Sequence, residues 1–82
     1  MDWTYCEDGL PELDAEVVFS VNHHGDTWIA DGKYQHFHRN PDSTVGFVDY
    51  RAGATYFTDT TLGIHVYAWA PRPAPAPLRK SQ

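Results

Sequence analysis

Histidine and cysteine are the side chains of this 82-residue chain best suited to chemistry, and there are five of the first and one of the second. His36 and His38 stand two apart, so on a strand both leave from one face, with Tyr34 beside them. His23 and His24 precede a Gly-Asp pair and belong to a turn. A His-x-His pair offers two ligands, whereas zinc takes three or four nitrogen, sulfur or oxygen ligands at ~2.0–2.3 Å. The rest would have to arrive through the fold, from Asp26, Cys6 or His65. His23, His24, His36 and His38 are therefore weak metal candidates, and no cofactor is expected. Cys6 is flanked by Glu7 and Asp8, which oppose thiolate formation, so a buried small apolar side chain is the expectation. Asp49 and Asp59 lie on or near strands, but nothing marks them as an acid–base pair. Ser20 and Ser43 lack partner motifs, and no phosphate loop or nucleophile elbow is present. A domain this small seldom encloses a deep pocket. The expectation is a protein that is not an enzyme.

Charge narrows the partners. Six Lys/Arg oppose eleven Asp/Glu, a net −5. The tail 71–82 holds three of the cations (Arg72, Arg79, Lys80) and no acid, which leaves residues 1–70 with three cations against eleven anions, a formal −8. Such a field repels nucleic-acid phosphates and attracts basic surfaces. Glu7, Asp8, Glu12, Asp14 and Glu16 crowd the start of the chain and are the candidate protein-binding residues. No basic footprint suggests direct nucleic-acid binding. No run of ~18 apolar residues suggests a membrane span, and no leader is evident. A single cysteine points to a reducing cytosol.

The elements that must position these residues are read from periodicity. Residues 16–22 alternate, with Val17, Phe19 and Val21 on one face. The pattern pauses at His23-His24-Gly25-Asp26 and resumes at Thr27. Asp31-Gly32 between apolar runs signals a type I′ hairpin turn. Strands at 16–22, 27–30 and 33–38 are thus expected as a three-stranded meander. Residues 39–43 form a loop by composition. Residues 45–50 and 54–58 form a second hairpin around Arg51-Ala52-Gly53, and 59–63 make another turn. The last strand, 64–69, is expected to put Ile64, Val66 and Ala68 on one face. Pro71, Pro73, Pro75 and Pro77 then favour an extended polyproline II arm. No segment has helical periodicity. The expectation is an all-β fold, a small antiparallel meander sheet or partly open barrel of about five to six strands. Residues 1–70 form the single β domain, and 71–82 a proline-rich, partly mobile C-terminal arm.

The two extremities carry a further signal. The chain opens Trp3-Thr4-Tyr5-Cys6-Glu7-Asp8-Gly9-Leu10-Pro11-Glu12 and closes Val66-Tyr67-Ala68-Trp69-Ala70-Pro71-Arg72-Pro73-Ala74-Pro75. This resembles an uncharacterised domain family common in phages and prophages, which opens W-I-S-V-x-D-x-L-P-E and closes T-H-W-M-P-L-P-x-P-P. Trp3, Asp8, Leu10, Pro11, Glu12, Trp69, Pro71, Pro73 and Pro75 fall on matching positions. Ala30-Asp31-Gly32-Lys33-Tyr34 occupies the place of the family's Y-D-G-x-F hairpin. Ala68 stands where the family has its closing His, and Gln35 and His36 where a Trp is common. The resemblance implies a phage or prophage origin and a small β fold, and brings no mechanism. Physically, the matched residues suggest a clasp. Trp3 and Trp69 would pack the opening segment beside the last strand, with Leu10-Pro11 setting the turn into the first. Trp3, Trp28 and Trp69 are expected in structural service, each removing ~150–250 Å² from water.

The combined expectation is a non-catalytic, phage-derived protein-binding module in the host bacterial cytoplasm, presenting an acidic surface to a host protein with a basic one. Inhibition of a host defence nuclease complex, in the manner of an anti-CRISPR protein, is its concrete version. The alternatives are a small-ligand or metal-binding accessory domain built on the histidines, and a structural homodimer joined through strand edges.

Overall fold

The structure, a computed structural model, describes residues 2–37 and 44–73. His38, the loop through residue 43 and the arm beyond Pro73 lie outside the described residues, so the expectations placed on them are not addressed. Six strands follow one another: β1 (Thr4–Tyr5), β2 (Glu16–His23), β3 (Asp26–His36), β4 (Val45–Asp49), β5 (Thr55–Tyr56) and β6 (Ile64–Pro71). All pairings are antiparallel, in a single sheet ordered β1-β6-β2-β3-β4-β5. The all-β expectation holds, with one topological difference. Strands β2 to β5 form a meander, but β6 returns to lie between β1 and β2 and so carries β1 at its outer edge.

The alternation in β2 works as expected: Val17, Phe19 and Val21 are wholly buried. Their neighbours across the core are Ala30 and Tyr34 of β3, Phe47 of β4 and Val66 of β6. Phe47 is the hub, its ring 5.1 Å from Phe19 and 4.8 Å from Tyr34 between centroids. Such tilted aromatic contacts add to the burial of the rings themselves.

The expected Asp31-Gly32 turn is overturned. Both residues sit inside β3, and the hairpin turn falls at His24-Gly25, where φ is 53° and 92°. Those two positive values are what a two-residue hairpin turn of the I′ kind requires, and Asn22 Oδ1 accepts the Gly25 N–H at 2.8 Å. Keeping β3 unbroken leaves Ala30 and Tyr34 in one phase, so Ala30 faces Phe19 while Tyr34 faces Phe47. A turn at Asp31-Gly32 would fold those two halves onto each other and lose both contacts. Gly32 serves a different purpose: a Cβ there would overlap the Val48 carbonyl oxygen. It permits β4 to approach closely as the sheet curls.

The second hairpin falls where expected. The buried Asp49 accepts the backbone N–H groups of Arg51 (2.9 Å) and Ala52 (3.3 Å), and Gly53 (φ 69°) donates to the Asp49 carbonyl at 2.8 Å. On β6 the expected facing is corrected by a bulge. Ser20 pairs with Ala68 but Val21 pairs with Val66, so Tyr67 is the extra residue. Ile64 and Val66 therefore share the core face with Trp69, while Ala68 turns to the opposite face.

Curling brings the ends of the sheet together. The Val66 N–H donates to the Phe57 carbonyl just past β5 (2.8 Å), and the Cys6 N–H donates to the Tyr67 carbonyl just past β1 (3.0 Å). Both lie on the side of β6 away from β2, where the end of β5 follows on from β1, which makes the body a partly open barrel. The two edge strands are two residues each, a poor template for the sheet-edge homodimer considered above. The extremities meet as the clasp required. Thr4 pairs with Trp69, and the Trp69 indole N–H donates to the Gly9 carbonyl at 2.9 Å. Pro11 is buried but Leu10 is exposed. Among the described residues no helix is long and apolar enough to cross a membrane.

Candidate functional site

The face of the sheet opposite the core holds the most developed surface feature. Register alone lines up four residues across four strands: Tyr5 opposite Ala68, Ala68 opposite Ser20, and Ser20 opposite Ile29. The middle two are small and buried and the outer two are large and exposed, Tyr5 at 52% and Ile29 at 65%. Small side chains flanked by large ones make a trough. Trp3, Thr27, Trp28 and Tyr67 complete its walls, enclosing a groove of about 620 Å³.

Its floor is polar. The Ser20 hydroxyl donates to the Tyr67 hydroxyl at 2.7 Å, which satisfies a serine that is 7% exposed. The β6 bulge frees Tyr67 from cross-strand pairing. Tyr67 is also a wall shared with a second hollow of about 300 Å³ bounded by Tyr5, Cys6, Glu7, Thr58 and Thr60. Trp28 leaves from the core side at the end of the barrel, stacks edge-on against His23 and Tyr56, and borders the groove with its exposed part. Of the three tryptophans expected in structural service, Trp69 forms the clasp; Trp3 and Trp28 line this groove.

The described histidines of the candidate metal set do not converge. His23 and His24 stack on each other at 4.6 Å beside the turn, whereas His36 ends β3 at the far extremity of the same strand. About ten residues at ~3.3 Å each set them on the order of 30 Å apart. Among the described residues no group of three or more His, Cys, Asp or Glu could hold a metal ion. His65, on β6 opposite Asn22, has a buried Nδ1 that meets no hydrogen-bond partner among the described residues.

Cys6 is half-buried against the core, and desolvation pushes its thiol up to about 11. Burial, rather than the neighbouring carboxylates, is what opposes the thiolate. Asp49 is absorbed in its turn. Asp59 accepts from both the backbone N–H (2.9 Å) and the hydroxyl (2.6 Å) of Thr61, and these bonds hold its carboxyl below the usual range.

The acidic candidates divide. Glu7 and Asp8 are exposed on the turn after β1, beside Tyr5, and Glu12 and Asp14 are exposed on the segment leading into β2. Glu16 is already engaged: the Arg72 guanidinium, itself 3.3 Å from Asp31, lies 3.9 Å from Glu16, and the Tyr50 hydroxyl donates to Glu16 at 3.2 Å. It is tied to the exit of the chain from β6 and is a weaker handle than the other four.

No protein-family model, curated protein or solved structure matches the chain. The groove was not visible to sequence reasoning, because the row Tyr5-Ala68-Ser20-Ile29 needs the β6 bulge and the return of β6 beside β2. The one available signal was Ile29, an apolar residue out of phase with the buried positions of β3.

Proposed function

We propose that this chain is a non-catalytic protein-binding module whose docking surface is the outer-face groove. The observation that carries the reading is the cross-strand row, in which Tyr5 and Ile29 stay exposed on either side of a buried Ala68-Ser20 floor. Aromatic and branched side chains around a shallow trough are what an extended partner segment packs into. Glu7 borders the neighbouring hollow that shares Tyr5 and Tyr67 with the groove, and the formal −8 of residues 1–70 favours a partner with a basic surface. The chemistry around the groove supports a binding role over a catalytic one. Ser20 has a tyrosine hydroxyl for its partner, and the Cys6 thiol is held protonated.

In its concrete version the module is phage-derived and acts in the host bacterial cytoplasm, occupying a basic nucleic-acid groove of a defence nuclease complex as an anti-CRISPR protein does. The acidic excess and the resemblance of the two extremities to a phage domain family support this version. The test is recovery from host lysate at low and high salt, with the wild-type chain and with Ile29→Asp. The expected result is a basic protein captured at low salt, released at high salt and lost with the variant. Recovery of no basic protein, or recovery indifferent to Ile29→Asp, overturns the reading.

A further inference from the structure

The proline-rich composition of the arm suits the groove, and it favours a second molecule's groove over the arm's own. At the end of β6 the chain is pinned: the Arg72 N–H donates to the Glu16 carbonyl at 3.2 Å, and its guanidinium lies 3.3 Å from Asp31. Beyond it Arg72, Ala74 and Ala76 each precede a proline. A residue before proline is biased toward extended backbone, so alternating Pro and Ala favours a straight polyproline II course over a reversal. Residues 71–82 contain no glycine to relieve this. Ala68 of the groove lies three residues back along β6, so entry of a molecule's own arm would demand that reversal immediately after Pro73. The composition of the arm therefore favours an extended course toward a neighbour.

We infer that the outer-face groove receives the proline-rich arm of a second copy of this chain, and that two copies exchange arms reciprocally. This rests on the groove being a docking surface, as proposed above, and names its occupant. Four observations support the fit. Trp3, Tyr5, Trp28 and Tyr67 line the groove, and aromatic-lined grooves take polyproline II segments, which lose little entropy on binding. The row from Tyr5 to Ile29 crosses three inter-strand spacings, or ~14 Å, matched by four to five polyproline II residues at ~3.1 Å each. With three residues per turn, prolines at every second position set a ring on every face of the arm. Charge is complementary: the arm carries Arg79 and Lys80 and no Asp or Glu, while Glu7 borders the hollow that shares Tyr5 and Tyr67 with the groove. Each copy has one arm and one groove, so a reciprocal exchange closes on a two-fold dimer.

Sedimentation of the full chain over a range of concentrations, at low and high salt, tests the inference. The expected result is a monomer–dimer equilibrium weakened by salt. A synthetic peptide of residues 71–82 should drive the dimer to monomer and shift the tryptophan emission. The variants Ile29→Asp and the double substitution Pro75→Gly with Pro77→Gly should each weaken self-association about tenfold, the loss of one good interfacial contact. A chain that stays monomeric at every concentration overturns the inference, whether or not the peptide binds. So does a dimer indifferent to the peptide. A monomer whose tryptophan emission changes with the two proline substitutions would place the arm in its own groove and also overturn it. A monomer that still captures a basic host protein would defeat arm exchange while leaving the proposed function standing.

Discussion

Ser20 and Tyr67 illustrate what a residue's identity says and what it withholds. Ser20 is a hydroxyl on a strand with no partner in its own neighbourhood, and its partner lies 47 positions away. Nothing local announces that bond. Cys6 is the opposite case: expected buried, with its thiolate opposed by acidic neighbours, it is half-buried, and desolvation is what raises its thiol. The consequence is measurable. Alkylation of Cys6 in the folded chain should accelerate with pH along a titration centred near about 11 instead of the ordinary 9.0. An inflection near the ordinary value would mean that Cys6 is solvated. The linkage has a definite sign. The folded thiol keeps its proton longer than the unfolded one, so this contribution to stability is full below 9.0 and lost as pH rises toward about 11.

At the scale of elements, the turn expected at 23–26 formed at His24-Gly25, whereas the one expected at Asp31-Gly32 did not. The Asp-Gly pair is the stronger local turn signal, yet the continuous phase of Ala30 and Tyr34 along β3 prevailed because it places both on the core face. Gly32 is then required for close approach. Gly32→Ala should destabilise the fold by ~3 kcal/mol or more, since the new methyl meets the Val48 backbone and not a yielding side chain. Chemical denaturation measures this; a midpoint within experimental error of wild type would refute the close packing of β3 on β4. The β4–β5 hairpin, by contrast, was legible throughout. Its Asp-x-x-x-Gly spacing lets the Asp49 carboxylate cap the turn while Gly53 takes the positive φ.

For the whole molecule, the decisive connection is the clasp between the opening segment and β6. Trp69→Phe keeps the ring on the core but removes the N–H that meets the Gly9 carbonyl. The expected cost is ~1–2 kcal/mol, with faster hydrogen exchange at the Cys6 amide, which is bonded to Tyr67 beside the clasp. Unchanged exchange at Cys6 would show that β1 is held by other contacts. Loosening β1 should also open the groove at Tyr5, so the same variant should weaken partner capture.

Hydrophobic alternation, β-branched content and proline placement are local properties, and from them the β class, the hydrophobic face of β2, the β4–β5 hairpin and the end of the sheet near Pro71 could be read directly. That the opening segment should lie beside the last strand also required no coordinates. The order of the strands, the Tyr67 bulge and the groove required the tertiary structure. Each depends on which distant strand lies alongside, and a one-residue shift in that register sends Ala68 to the other face. The separation of the histidines is of the same kind: their spacing permits a site, and an unbroken β3 carries His36 away from His23 and His24.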